Sequence, residues 1–126
     1  MAIDFKGPHE RALIKLENAV VRKILSNVPP PNAPATVAKK HSSKTLIDSS
    51  EMLGHVTHRQ TEEEGVLHGE VGIFDEEIAK RAEWNEHGTD RIPARPFLRP
   101  AIDETIEAAA EQMAEEIFKQ IEEQFK

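Results

Sequence analysis

The chain contains no cysteine, only 5% aromatic residues and no long apolar run. Without a thiol there is neither a disulfide framework nor a thiolate metal site, and a reducing cytoplasm is the expected setting. No stretch approaches the roughly 18 apolar residues of a membrane span, and Met1-Ala2-Ile3-Asp4-Phe5 lacks the basic region and apolar run of a signal peptide, so a soluble protein is expected. A glycine-rich turn between a strand and a helix is also missing. That removes the usual phosphate cradle and the usual place to expose a nucleophile. Ser42, Ser43, Ser49 and Ser50 lie in loop composition, where serine serves local hydrogen bonding. Nothing in the chain resembles an active site, and no cofactor is expected.

What is present fits one globular domain spanning residues 1–126, with 29–44 as a flexible loop or arm. The net charge of −7 is unevenly placed: up to Arg59 nine Lys/Arg face five Asp/Glu, and from Gln60 onward seven face eighteen. A bipolar chain of this kind lacks the concentrated basic surface of a general nucleic-acid binder. It suits a protein whose acidic face meets the basic face of a neighbour.

The expected fold class is α+β. Gly7-Pro8-His9-Glu10 reads as a helix start, with Gly7 as N-cap and Pro8 in the first helical position. Leu13, Leu16, Val20, Ile24 and Val28 then recur at steps of three or four, before Pro29-Pro30-Pro31 ends the helix. Met52 to Arg59 and Val66 to Phe74 read as a hairpin joined through Glu62-Glu63-Glu64-Gly65, with Leu67, Gly69, Val71 and Ile73 on one face. Such a hairpin is marginal by itself and needs a helix or more strands to lie on. Asp75 is a good N-cap, Glu76 and Glu77 suit a first turn, and Ile78 to Glu86 continue as a short helix that Gly88 closes just past its C-cap.

Ile92-Pro93-Ala94-Arg95-Pro96-Phe97-Leu98-Arg99-Pro100 forms a stiff joint, because Ile92 and Arg95 precede prolines and take extended geometry. Arg91, Arg95 and Arg99 recur every fourth residue, but the prolines forbid a helix through them and their side chains must fan out. Pro100 then opens a long helix running to about Phe125. Its apolar face is Leu98, Ile102, Ile106, Ala109, Met113, Ile117 and Ile121, and its outer face carries eight acids.

Six histidines raise a metal hypothesis. His55, His58 and His68 fall on the two hairpin arms, yet strand residues three apart point to opposite faces, so no ligand set is complete. The acids Glu62 to Glu64 diverge in a turn. Lys39, Lys40 and Lys44 could touch phosphate, but no aromatic residue lies among them for bases to stack on.

Trp84-Asn85-Glu86-His87-Gly88-Thr89, followed by Ile92 to Ala101, resembles the C-terminal signature of the phage tail-component and virion-morphogenesis proteins, minor structural proteins of the neck and tail end of tailed bacteriophages and prophages. Lys44-Thr45-Leu46-Ile47-Asp48-Ser49 also resembles the family's segment before its first strand. The chain departs from the family pattern at His87, where an aromatic is typical, at Ser50, where glycine is, and at Arg81, where tyrosine is.

The resemblance implies a non-enzymatic tail-completion or head-tail connector subunit that assembles into a ring, commonly six-fold, at the head-tail junction or tail terminus. Its partners would be other copies of itself and tail-tube, tail-terminator or head-connector proteins, with no membrane and with DNA only as passing cargo. It would act in the virion, after assembly in the bacterial host cytoplasm. On this reading Gly88, Pro93, Ala94, Pro96, Phe97 and Leu98 form the structural joint, with Phe97 and Leu98 locking it onto the sheet. Arg91, Arg95, Arg99 and Trp84 face a neighbour or partner, although Trp84 could equally fill a small core. The alternatives are a small nucleic-acid or regulatory binding module using Lys39, Lys40, Lys44 and the joint arginines, and a metal enzyme built on the histidines.

Overall fold

The computed structural model describes residues 2–26 and 53–126. The expected arm at 29–44, its lysines and the Lys44–Ser49 segment lie outside the described residues. Within them the order is helix α1 (Lys6–Leu25), strands β1 (Val56–Glu63) and β2 (Val66–Ile73), helix α2 (Glu76–His87) and helix α3 (Leu98–Gln124), an α+β fold. Local chemistry accounts for most of these boundaries, though several differ from what the sequence predicts.

Helix α1 starts one residue before the expected cap. Phe5 occupies the N-cap without a side-chain bond, and the Asp4 carboxylate instead accepts the Gly7 N–H at 3.1 Å. Pro8 is therefore the third helical residue rather than the first, still within the turn where no backbone donor is needed. The hairpin is shifted toward its turn: Met52 to Arg59 is replaced by Val56–Glu63, and the second strand stops at Ile73. Glu63 pairs with Val66, so the loop is only Glu64-Gly65, and both residues have positive φ, +51° and +77°. Two-residue hairpin loops favour this mirror-image geometry because it follows the right-handed twist of the strands. Arg59 stacks over the Phe74 ring, 3.7 Å from its centroid, and ties the open end together.

The two strands lie on α1. Gly69 permits the close approach, since a Cβ there would meet Leu13 on α1 and come within 3.0 Å of His9. His9 Nδ1 and Gln60 Oε1 are 2.6 Å apart across the same contact. His58 lies against two carboxylates of α1, with Nδ1 3.1 Å from Glu17 and Nε2 3.5 Å from Glu10.

Helices α1 and α3 pack antiparallel. Arg11 meets Glu116 at 2.7 Å and Lys23 meets Glu104 at 2.9 Å, while beyond them the Asp4 N–H donates to Gln120 Oε1 and the Gln120 and Gln124 amides donate to the Asp4 and Ala2 carbonyls. The buried residues of α3 are Ala101 and Ala109, both 1% exposed. Ile106, expected on the apolar face, is instead 47% exposed. Small side chains at the contact let the two backbones come close, and the larger isoleucine is displaced to the flank.

Two clusters form the core. One joins Ala19, Val20 and Ile24 of α1 with Val56, Ile78, Ala82, Phe97 and Ala101; the other joins Ala12, Leu16 and Ala109. Val71 and Ile102 touch both.

Candidate functional site

Asp75 caps α2 as its sequence predicts, accepting the Ile78 N–H at 3.0 Å. At the other end Gly88 is itself the C-cap, with φ +78° and ψ 166°, and its N–H reaches the Trp84 carbonyl at 2.8 Å. That backbone region is open only to glycine. A Cβ at Gly88 would also stand 2.9 Å from the Ala94 nitrogen and 3.1 Å from the Ile92 carbonyl, neither of which can move without moving the joint.

From Gly88 the chain turns back on itself. Thr89 holds the bend from both sides: its N–H donates to the Ile92 carbonyl at 2.8 Å, and its hydroxyl oxygen accepts the N–H groups of Arg91 and Ile92. The Arg95 N–H then donates to the Asn85 carbonyl at 2.6 Å, so the joint runs back along the last turn of α2. Phe97 follows, 2% exposed, among Ile78 and Ala82 of α2, Val56 of β1 and Ala101 of α3. Burying this ring contributes about 2–3 kcal/mol. Leu98 is partly buried beside it.

Helix α3 begins at Leu98, two residues before the expected Pro100, and Phe97 at its N-cap offers no capping side chain. The cap comes from α2. Glu86 Oε1 accepts the N–H groups of Phe97 and Leu98, each at 2.9 Å, and Oε2 accepts that of Arg99 at 3.2 Å. Pro100 has no N–H, and Ala101 makes the first helical bond, to the Phe97 carbonyl at 3.3 Å. Every donor of the first turn is accounted for, and a carboxylate sits at the positive end of the helix dipole. Glu86 was not singled out from the sequence. The available signal was a helix start, Phe-Leu-Arg-Pro, with no capping residue of its own.

Gly88, Pro93, Ala94, Pro96, Phe97 and Leu98 thus belong to one corner joining α2 to α3. The four residues expected at an interface are dispersed around it. Trp84 is 49% exposed, which removes the core-filling alternative. Arg91 is exposed, Arg95 is half-buried with contacts of its own, and Arg99 is exposed beside Asp103 at 3.8 Å.

Next to Phe97 a small apolar cavity of about 180 Å³ opens among Gly72, Ile73, Ala82, Glu86, His87 and Leu98. Among the described residues no group of three or more His, Asp or Glu side chains is arranged to hold a metal, and no helix is long and apolar enough to cross a membrane. The lysine cluster of the nucleic-acid alternative lies outside the described residues.

No protein-family model, curated protein or solved structure matches the chain.

Proposed function

We propose that the protein is a minor structural subunit of a tailed phage or prophage particle, assembling as a ring at the head-tail junction or tail terminus. The observation that carries this reading is the corner. The residues in which the chain resembles the virion-morphogenesis proteins, from Trp84 through Ala101, form one hydrogen-bonded piece of architecture that sets the direction of α3. The Glu86 carboxylate and the bend at Gly88 and Thr89 fix one helix against another, which supports a role in building a defined geometry. Exposed Trp84 and Phe118 supply apolar surface of the kind that a neighbouring subunit covers.

The test is electron microscopy of the purified protein, alone and mixed with tail tubes and with DNA-filled heads. Rings, or protein bound at one end of tails or at the head portal, are the expected result. A protein that forms no rings and attaches to neither particle overturns the reading. DNA binding that weakens steeply with salt would support the nucleic-acid alternative instead, since phosphate contacts must release counterions.

A further inference from the structure

Helices α1 and α3 lie side by side, and away from the hairpin an open groove of about 390 Å³ runs between them, lined by Arg11, Ile14, Lys15, Asn18 and Arg22 of α1 and Gln112 of α3. The α1 side of this face is basic. Arg11 is held by Glu116, whereas Lys15 and Arg22 make no ion pair among the described residues. The α3 side is acidic. Glu107, Glu111 and Glu115, all exposed, follow at every fourth residue on the side continuing outward from Gln112, and Phe118, 63% exposed, and Glu122 extend the row. They too make no ion pair among the described residues, and Lys119 is the single base nearby. At 1.5 Å per residue the Lys15–Arg22 span is about 10 Å and the Glu107–Glu115 span about 12 Å, so the two rows match in length and oppose in sign.

We infer that this face docks a second copy of the chain, with the α1 row of one copy against the α3 row of the other. Each copy carries both rows, so one contact satisfies the base row and the acid row of both molecules. Like charges at i,i+4 along α3 repel one another, and a base row laid over them relieves that repulsion. Ile14 and Leu25, exposed on α1, and Phe118 on α3 add apolar contact. A face about 30 Å long and about 20 Å wide offers about 600 Å² per copy, somewhat below the roughly 800 Å² of a stable complex. Association through it is therefore weak and strongly salt-dependent.

The contact is two-fold and closes on a pair, so it goes beyond the ring contact of the proposed function, from which it takes only the premise that copies meet, and the two fail separately. The experiment is sedimentation velocity on the full chain at low and high salt, with Lys15→Glu/Arg22→Glu as one variant and Glu107→Lys/Glu111→Lys/Glu115→Lys as the other. Circular dichroism and thermal unfolding of each variant verify that it folds. Wild type should self-associate at low salt, and each variant alone should lose at least about tenfold in affinity. Mixing the two variants should restore association, because each then meets a complementary partner. A wild type that stays monomeric, variants that associate like wild type, or a mixture that fails to recover overturns the inference. If the variants abolish self-association and the mixture restores it, yet no phage particle is bound, the docking face stands and the phage reading falls. If particles are bound by variants that still self-associate, the reverse holds.

Discussion

Glu86 holds two helices with one carboxylate. Replacing it by Ala leaves the N–H groups of Phe97, Leu98 and Arg99 without their acceptor, two of them in part-buried positions. The expected loss is about 2–3 kcal/mol, read as a lower urea midpoint at unchanged slope. Glu86→Gln keeps one acceptor oxygen and should cost roughly half as much. Gly88 is the second sensitive position. Gly88→Ala combines a backbone region closed to alanine with contacts against the joint's own backbone, and about 2–4 kcal/mol of destabilisation is expected in the same measurement. Lys6 is a quieter case. Its hydrogen bond to Glu62 at 2.7 Å, followed by that carboxylate's charge, raises the lysine pKa above its ordinary value. The small stability this contributes is fully present below the unfolded-state value and disappears as pH rises through the folded one. An NMR titration of Lys6 Nζ in wild type and Glu62→Gln should show its midpoint fall in the variant.

At the scale of elements, the hairpin turn and the helix pair show what could be read from the chain and what could not. The order helix, hairpin, short helix, joint, long helix follows directly from apolar spacing and from Asp75, Gly88 and the prolines. The hairpin register does not. Glu64 carries a positive φ that glutamate adopts reluctantly, so no residue-type signal marked the two-residue loop, and Gly65 alone fitted a longer turn equally well. Glu64→Asn should accordingly stabilise the protein by about 0.5–1 kcal/mol, seen as a higher Tm.

The α1–α3 contact follows the expected apolar face at Ala109 and departs from it at Ile106. Spacing arguments weight isoleucine above alanine, but a close helix crossing needs small residues, so Ala101 and Ala109 are buried while Ile106 lies on the flank. Inserting bulk at the contact tests this. Ala109→Leu should cost about 1–3 kcal/mol or more, whereas Ile106→Ala should cost much less than a buried isoleucine does. The Glu86 cap was invisible because a cap supplied from 11 residues away in sequence leaves no local pattern.

For the whole molecule, the bipolar charge legible in the sequence resolves into helices of opposite sign. Two of the eight acids in the final segment, Glu104 and Glu116, meet Lys23 and Arg11 and bind the helices together. The arginines of the joint are a separate test of function. Arg91→Ala/Arg99→Ala removes exposed side chains and should change stability by less than about 0.5 kcal/mol while weakening attachment to phage particles. Adding Arg95→Ala, at a half-buried position, tests whether that residue is internal: cooperative unfolding weakened together with attachment, rather than attachment alone, would show that it is.

The α2–α3 corner has one mechanical consequence. A helix of 27 residues is about 40 Å long, and an error of about 5° at its root would displace a free end by about 3.5 Å. Helix α3 is not free at that end, because Gln120 and Gln124 bind the backbone at Asp4 and Ala2. It is a beam supported at both ends rather than a cantilever, and its ion pairs to α1 at Glu104 and Glu116 brace it between them, so a small distortion at Glu86 does not swing the far end or carry the acidic row with it.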